Sequence, residues 1–554
     1  MAALTILGCS EGAPDGLSVE SGDLRVEVHG ADLGLDFVHE SGARGAYYYV
    51  EIMSAGGGVF DFDGDGDLDV YATQGVDLDG DLERRDRLFL NQGNDAEGRP
   101  RFADTSDVIR ASLEGYGMGV AAGDFDGDGW VDLYVTQLGR NVLLRNVEGR
   151  ELVDVTEKAG VAGAETLSTS AAFVDLDRDG LLDLYVVNYL VYSREKDREC
   201  IDLVGLREYC GPQSYAPERD VVYRNLGGGR FADVTAAVGI DLSGPGLGVI
   251  TGDFDADGWT DVYVANDQAA NHLWSNEGLD EEQGFVRFVE QAPMRGAAVD
   301  QDGKVEASMG VDAADVDSDG DEDLLMTHLI GETNTLYLND GAGFFTDSSL
   351  RFASGRGSLP WTGFGCAFVD LDLDGRIDLL VANGAVRANL DQRAAGDPFP
   401  YREPNLVFLQ NDGGDLTSRR VLSAETPIEV SRGLATGDLD NDGDLDWLVF
   451  NLGGPLQLHW NRSPADGWIG LDLRTADGRP ALGATIRAEN DQGAQLLRRV
   501  RSEGSYLSSR DPRVVLGLEA SAPVQVEITW PDGERQTVEN LEPGRYHRID
   551  QETR

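Results

Sequence analysis

Seven stretches of this 554-residue chain share one arrangement of side chains suited to gripping a metal ion. Each reads D-x-D-x-D-G-x-x-D, with Asp at positions one, three, five and nine and Gly at position six. The sets are Asp61, Asp63, Asp65 and Asp69; Asp124, Asp126, Asp128 and Asp132; Asp175, Asp177, Asp179 and Asp183; Asp253, Asp255, Asp257 and Asp261; Asp315, Asp317, Asp319 and Asp323; Asp370, Asp372, Asp374 and Asp378; and Asp438, Asp440, Asp442 and Asp446. Alternating carboxylates, a glycine at a sharp turn and a closing carboxylate supply several hard oxygens in a loose cage, which suits Ca²⁺ at about 2.3–2.6 Å. Up to seven structural Ca²⁺ ions are therefore expected, with the position-seven carbonyl, that of Asp67 in the first loop, as a further ligand. A terminal Asp is shorter than the bidentate Glu that closes longer calcium loops, so compact structural sites follow. Affinities of about 10⁻⁴–10⁻³ M or tighter suffice where calcium is plentiful.

The remaining composition fits this role. Acidic residues number 100 against 45 basic ones, a formal charge of −55. Phosphate backbones need basic patches and none is visible, so nucleic acid is not an expected partner. Without bound cations such a chain repels itself, which ties folding to calcium. No run approaches the roughly 18 apolar residues of a membrane helix. Residues 1–20 contain a short apolar run ending in Gly8-Cys9, similar to the end of a bacterial lipoprotein signal, although the positively charged start of such a signal is lacking. Cys9 is thus a candidate lipid-anchor site and the chain is expected to be exported, to the periplasm, the outer membrane or the cell exterior. In that setting Cys200 and Cys210, ten residues apart within an insertion, are expected to form a local disulfide. Cys366, between apolar neighbours, reads as a buried small residue.

The elements that position the loops repeat with them. A small-residue strand such as Gly119–Gly123 precedes the loop and a strand such as Asp132–Thr136 follows it. A third strand carries Asn-x-Leu-x-x-Asn, as in Asn141–Asn146 and Asn334–Asn339, and a fourth reads like Phe231–Thr235. Four short antiparallel strands recurring every roughly 50–80 residues make propeller blades. The expected fold is all-β, a seven-bladed β-propeller over residues 21–463. The seventh blade offers only three strands, and the N-terminal segment is expected to supply the fourth. Phe37–Ser41 is the candidate, because Phe37 precedes Asp61 by 24 residues much as Phe231 precedes Asp253 by 22. Residues 464–554 form a separate, nearly neutral module, with 12 Arg against 14 acidic residues from Trp468 onward. Alternation in Ala484–Glu489 and Val524–Trp530 argues a small β-sandwich there.

These residues carry a family resemblance. The seven loops with their flanking strands resemble the FG-GAP/VCBS repeats of integrin-α-type propellers. The tail is similar to the ASPIC/UnbV domain in Gly483-Ala-Thr-Ile486, Gly504-Ser-Tyr506-Leu-Ser508, Leu516-Gly-Leu518 and Ile528-Thr-Trp530-Pro-Asp-Gly533. The pairing resembles the cartilage acidic protein family and its bacterial relatives, as does Tyr209-Cys210-Gly211-Pro212. The resemblance implies an exported calcium-binding propeller acting in adhesion or in binding an extracellular protein or glycan.

A ligand is expected on the face opposite the calcium hairpins. Tyr48, Tyr116, Asn188, Tyr189, Asn266, Asp267, His328, Trp361, Asn383 and Asn451 gather there, offering aromatic faces for sugars and amides for a peptide strand. The bland reading of the asparagines is that they end strands and bond turn backbone. No H-E-x-x-H, G-x-S-x-G with partners, phosphate loop or cysteine-rich zinc pattern appears, and no catalytic residue is assigned. His39, His459 and His547 read as strand residues. The alternative function is a calcium-dependent enzyme of lyase or cyclase type working in the central pocket of the propeller.

Overall fold

The protein is described by a computed structural model covering residues 17–552, apart from 22–23, 81–84, 111–112, 114, 203–204, 281–283, 420–425, 465–466, 491–492, 494 and 519–523. Cys9 lies outside the described residues. Strands dominate, and the longest helix among the described residues is Ala353–Ser358.

Blade four shows the plan. Gly246–Gly252, Asp261–Asn266, His272–Asp280 and Phe285–Glu290 pair in chain order as an antiparallel meander. The innermost strand of each blade is rich in Gly and Ala, because seven such strands must converge on one axis. The second strand is Val-, Leu- and Tyr-rich and fully buried, as in Asp261–Asn266, and packs between neighbouring blades. In every blade the residue before the acidic loop pairs with the Asp that ends it, as Phe60 with Asp69, Gly123 with Asp132 and Gly437 with Asp446. Each loop is therefore the tip of the innermost hairpin.

The N-terminus does complete blade seven, but through a different segment. Leu24–His29 pairs with Gln457–Asn461, and Leu17–Ser21 adds a further strand outside it. Phe37–Ser41 instead runs back over the blade, touching it through one bridge between Val38 and Pro455. The alternation of Leu24 and Val26, both buried against blades six and seven, decides the matter: a strand with one apolar face outcompetes a segment with a single buried phenylalanine.

A second ring ties the blades together near the loops. An Asn or Gln in each third strand donates its side-chain amide to the carbonyl at position two of the preceding blade's loop. The seven bonds are Asn91 to Leu439, Asn146 to Phe62, Asn225 to Phe125, Asn276 to Leu176, Asn339 to Phe254, Gln410 to Val316 and Asn461 to Leu371, at 2.8–3.1 Å. The circle closes without a gap.

The tail folds as two small sheets. Trp468–Arg474 pairs with Val514–Gly517 and Arg545–Asp550; Thr485–Glu489 pairs with Gln495–Arg499 and Val524–Thr529, which pairs with Arg535–Leu541. Its core of Leu471, Ile486, Leu516, Ile528 and Trp530 runs on into Phe125, Phe173 and Phe231 of blades two and three. The tail thus sits on the propeller face that bears the acidic loops.

Candidate metal centres

In each loop the chain is bent by two left-handed residues, at positions four and six. Position four accepts ordinary residues at φ 57–61°, among them Arg178, Ala256 and Leu373. Position six has φ 83–99° and is glycine in all seven copies, since a Cβ is disfavoured there. The turn folds backbone amides onto the first carboxylate: Gly64 and Gly66 donate to Asp61, and Gly127 and Gly129 to Asp124.

The position-nine carboxylate is fixed from both sides. Asp69 accepts from the amides of Phe62 and Asn91, both at 2.8 Å, and its six counterparts repeat this pair. One carboxylate oxygen from each of Asp61, Asp63 and Asp69 lies within 4.8 Å of the others; the same holds for Asp124, Asp126 and Asp132, for Asp175, Asp177 and Asp183, and for Asp315, Asp317 and Asp323. In the fourth loop the converging set is Asp253, Asp255 and Asp257.

What is left over points to a cation. Every loop keeps at least one buried carboxylate oxygen with no hydrogen-bond partner: on Asp63, Asp126, Asp175, Asp253 and Asp255, Asp321, Asp372, and Asp440 with Asp444. Burial, reinforced by neighbouring carboxylates and partly offset by the two amides, pushes Asp69 and Asp323 up to about 8. The same balance holds Asp132, Asp183, Asp261, Asp378 and Asp446 well above the usual carboxylate range. A cluster that resists ionising alone, with oxygens aimed inward and unbonded, fits a hard divalent ion.

The loops differ in cover. Loops one to four present their turns to solvent, whereas Leu373 of loop six and Gly443 of loop seven are pressed under Trp468 and Val515 of the tail. The tail also caps loops with arginine. Arg513, Arg487 and Arg498 donate to the position-six carbonyls of Gly66, Gly320 and Gly375 at 3.0–3.3 Å. Arg499 and Arg501 bind Glu322, and Arg510 makes a two-pronged bond to Asp312.

The FG-GAP-like repeat profile matches residues 61–135, 124–186, 201–264, 253–326 and 315–381, more than half of the chain, and the ASPIC and UnbV profile matches 474–554. The chain belongs to this family. Cartilage acidic protein 1 of Mus musculus and of Homo sapiens are each 26% identical to it over 512 residues, 87% of this chain and 71% and 69% of theirs. A lectin structure from Agrocybe aegerita, described as recognising non-reducing terminal N-acetylglucosamine, overlays at a TM-score of 0.39 with 16% identity, covering 67% of this chain and 81% of the lectin.

On the face away from the FG-GAP hairpins, the residues singled out from sequence are mostly spent on the protein itself. Asn188, Asn266, Asn383 and Asn451 are buried and donate to the carbonyls of Arg219, Ala270, Pro404 and Pro455. Tyr116 bonds Ser54 and the Ser41 carbonyl. Tyr49, Tyr189 and Asp267 form a buried hydroxyl chain with 2.5 Å links. His328 is enclosed, 3.7 Å from Glu306, and burial pushes it down to about 3. Tyr48 and Trp361 alone keep partial exposure, Tyr48 bonding Asp79. The Cys200–Cys210 disulfide is present and staples the insertion whose Tyr209 and Tyr215 join this cap.

Sequence reading missed two features. Residues 501–511 of the ASPIC/UnbV module thread into the propeller axis and touch every blade. The amides of Gly57 and Val120 donate to the Leu507 carbonyl, the Thr251 hydroxyl to Glu503, and the amides of Val311 and Cys366 to Ser505, while the amides of Leu507 and Asp511 donate to Ser170 and Thr436. The central pocket that a catalytic reading needs is filled by these residues. Glycines mark the path: a Cβ on Gly56 or Gly119 would lie 2.3 or 2.8 Å from Leu507. The second feature is an open cavity of about 790 Å³ between loops one and two and the tail, walled by Asp65, Trp130, Arg474, Asp477 and Tyr546.

Proposed function

We propose that this chain is an exported calcium-binding FG-GAP propeller whose ions are structural and whose surface binds an extracellular protein or glycan. The observation that carries the metal assignment is the unbonded, buried carboxylate oxygen in each of the seven loops. Leaving such an oxygen without hydrogen or cation costs on the order of 1–3 kcal/mol. Calcium is favoured over softer metals because every candidate side-chain ligand is a carboxylate. Export is supported by the disulfide.

The propeller and the ASPIC/UnbV module act as one unit over 21–463 and 464–554, locked by the axial segment. With the axis filled and the opposite face largely self-bonded, the binding role falls to the outer surface and the junction cavity, where Trp130 and Tyr546 stand beside Arg474 and Asp477. A cavity lined by aromatic rings with a few polar and charged groups is the usual makeup of a ligand site. Two measurements test the reading. Calorimetric titration of the chelated chain is expected to give several Ca²⁺ per molecule, and a glycan and matrix-protein binding screen is expected to give hits that vanish with chelator. Zero calcium uptake would overturn the metal assignment, and calcium uptake with no hit in either screen would overturn the binding role.

A further inference from the structure

Loop seven buries more charge than its siblings. Asp438, Asp444 and Asp446 are 0% exposed and Asp440 is 7% exposed. Position seven contributes only its backbone oxygen in the general pattern, but here it is Asp444, and both its carboxylate oxygens lack any hydrogen-bond partner. Asp440 leaves Oδ1 unbonded while Trp460 holds its other oxygen at 2.8 Å. Asp67 and Asp321 occupy the same position in loops one and five, yet both retain partial solvent access.

The tail forms a lid over this loop. A Cβ on Gly443 would lie 2.0 Å from the Trp468 ring, Leu373, Trp468 and Val515 pack together above it, and the Tyr546 hydroxyl donates to Asp438 at 2.8 Å. A fully enclosed carboxylate with no hydrogen bond is costly unless it stays protonated, and a divalent cation offsets that cost for the whole cluster at once.

We propose that Asp444 is an additional side-chain ligand in loop seven, making this a cation site of five carboxylates, all but Asp442 buried, whose ion is covered by the Trp468–Tyr546 lid. The inference rests on reading the loops as divalent-cation sites. An ion there enters before the tail seats and leaves only when it lifts, whereas ions in loops one to four exchange freely.

The test is release of ⁴⁵Ca²⁺ from the full-length loaded chain into excess chelator. Most counts are expected to leave in a fast phase and a minority at least about tenfold more slowly. Asp444→Asn should reduce the slow phase by one ion, and Trp468→Ala should keep stoichiometry but merge that ion into the fast phase. Because Trp468→Ala also disturbs the tail, Tyr546→Phe serves as the gentler variant and should speed slow release several-fold with an unchanged circular dichroism spectrum. A chain that binds no ⁴⁵Ca²⁺ overturns the metal reading itself. One that binds several ions but releases them in a single fast phase, or keeps its full slow phase in Asp444→Asn, overturns this inference alone.

Discussion

Loops one and seven are built from the same nine-residue pattern yet live in different surroundings. Loop one meets solvent at Gly64, Asp65 and Gly66; in loop seven Gly443 and Asp444 are enclosed by the tail. The repeat dictates the turn and the ligands, and the neighbour dictates how tightly they are held. Identical motifs on one chain need not be identical sites.

Four perturbations should act differently on the open and the covered loops. The largest effect is expected from chelation. Removing ions from open loops should lower the melting temperature at once, and longer exposure that reaches the covered loops should lower it further, by on the order of 10 °C in total for several linked sites. A single-step loss, followed by calorimetry against incubation time, would erase the distinction between the two loop classes.

Next comes the closing carboxylate. Asp446→Asn in loop seven disrupts a buried acceptor of two amides and is expected to cost about 3 kcal/mol in urea unfolding with calcium present, whereas Asp65→Asn at the exposed tip of loop one should cost under about 1 kcal/mol. Equal costs would show that burial and amide bonding of a loop carboxylate do not set its worth.

The position-six glycines separate backbone strain from tail packing. Gly66 has φ 91° and open space around it, while Gly443 has φ 99° and the Trp468 ring against it. Gly66→Ala is expected to cost about 1 kcal/mol from φ alone, and Gly443→Ala about 2 kcal/mol more, with exposure of residues 501–511 to proteolysis.

The smallest effect is a pH dependence within blade seven, behind the covered loop. His459 is buried, stacks on Trp447 at 5.0 Å, and is pushed by burial down to about 3. A histidine neutral when folded but protonated below its ordinary value of 6.5 when unfolded adds stability that is complete above 6.5 and lost as pH falls toward 3. Relative to His459→Gln, the parent should therefore lose about 2 kcal/mol between pH 7.5 and 5, read by urea unfolding at each pH. A constant difference would mean that the ring is not held neutral.

Much of this was legible from residues alone. The seven loops, the blade count and the need for an N-terminal closing strand follow from the recurrence of Asp and of Asn-x-Leu-x-x-Asn. The closing strand itself was misassigned, because one phenylalanine at the right distance resembled an outer strand while Leu24 and Val26 carried the true alternation. The asparagines on the far face looked available because sequence shows an amide but not the loop carbonyl that consumes it. The axial segment escaped notice because Gly504-Ser-Tyr-Leu-Ser has no period. It is held by backbone bonds and left-handed turns at Ser505 and Leu507, whose φ values are 61° and 54°. Its signal lay elsewhere, in the glycines that make room for it.

The circle of seven amide-to-carbonyl bonds bears on how such a chain can change its length. Each blade lends a donor to the one before it and an acceptor to the one after. Gain or loss of one whole repeat leaves every donor with an acceptor, but a fragment ending between a loop and its third strand strands one amide and one carbonyl. Duplication in whole units is thus the route by which rings of this kind grow without penalty.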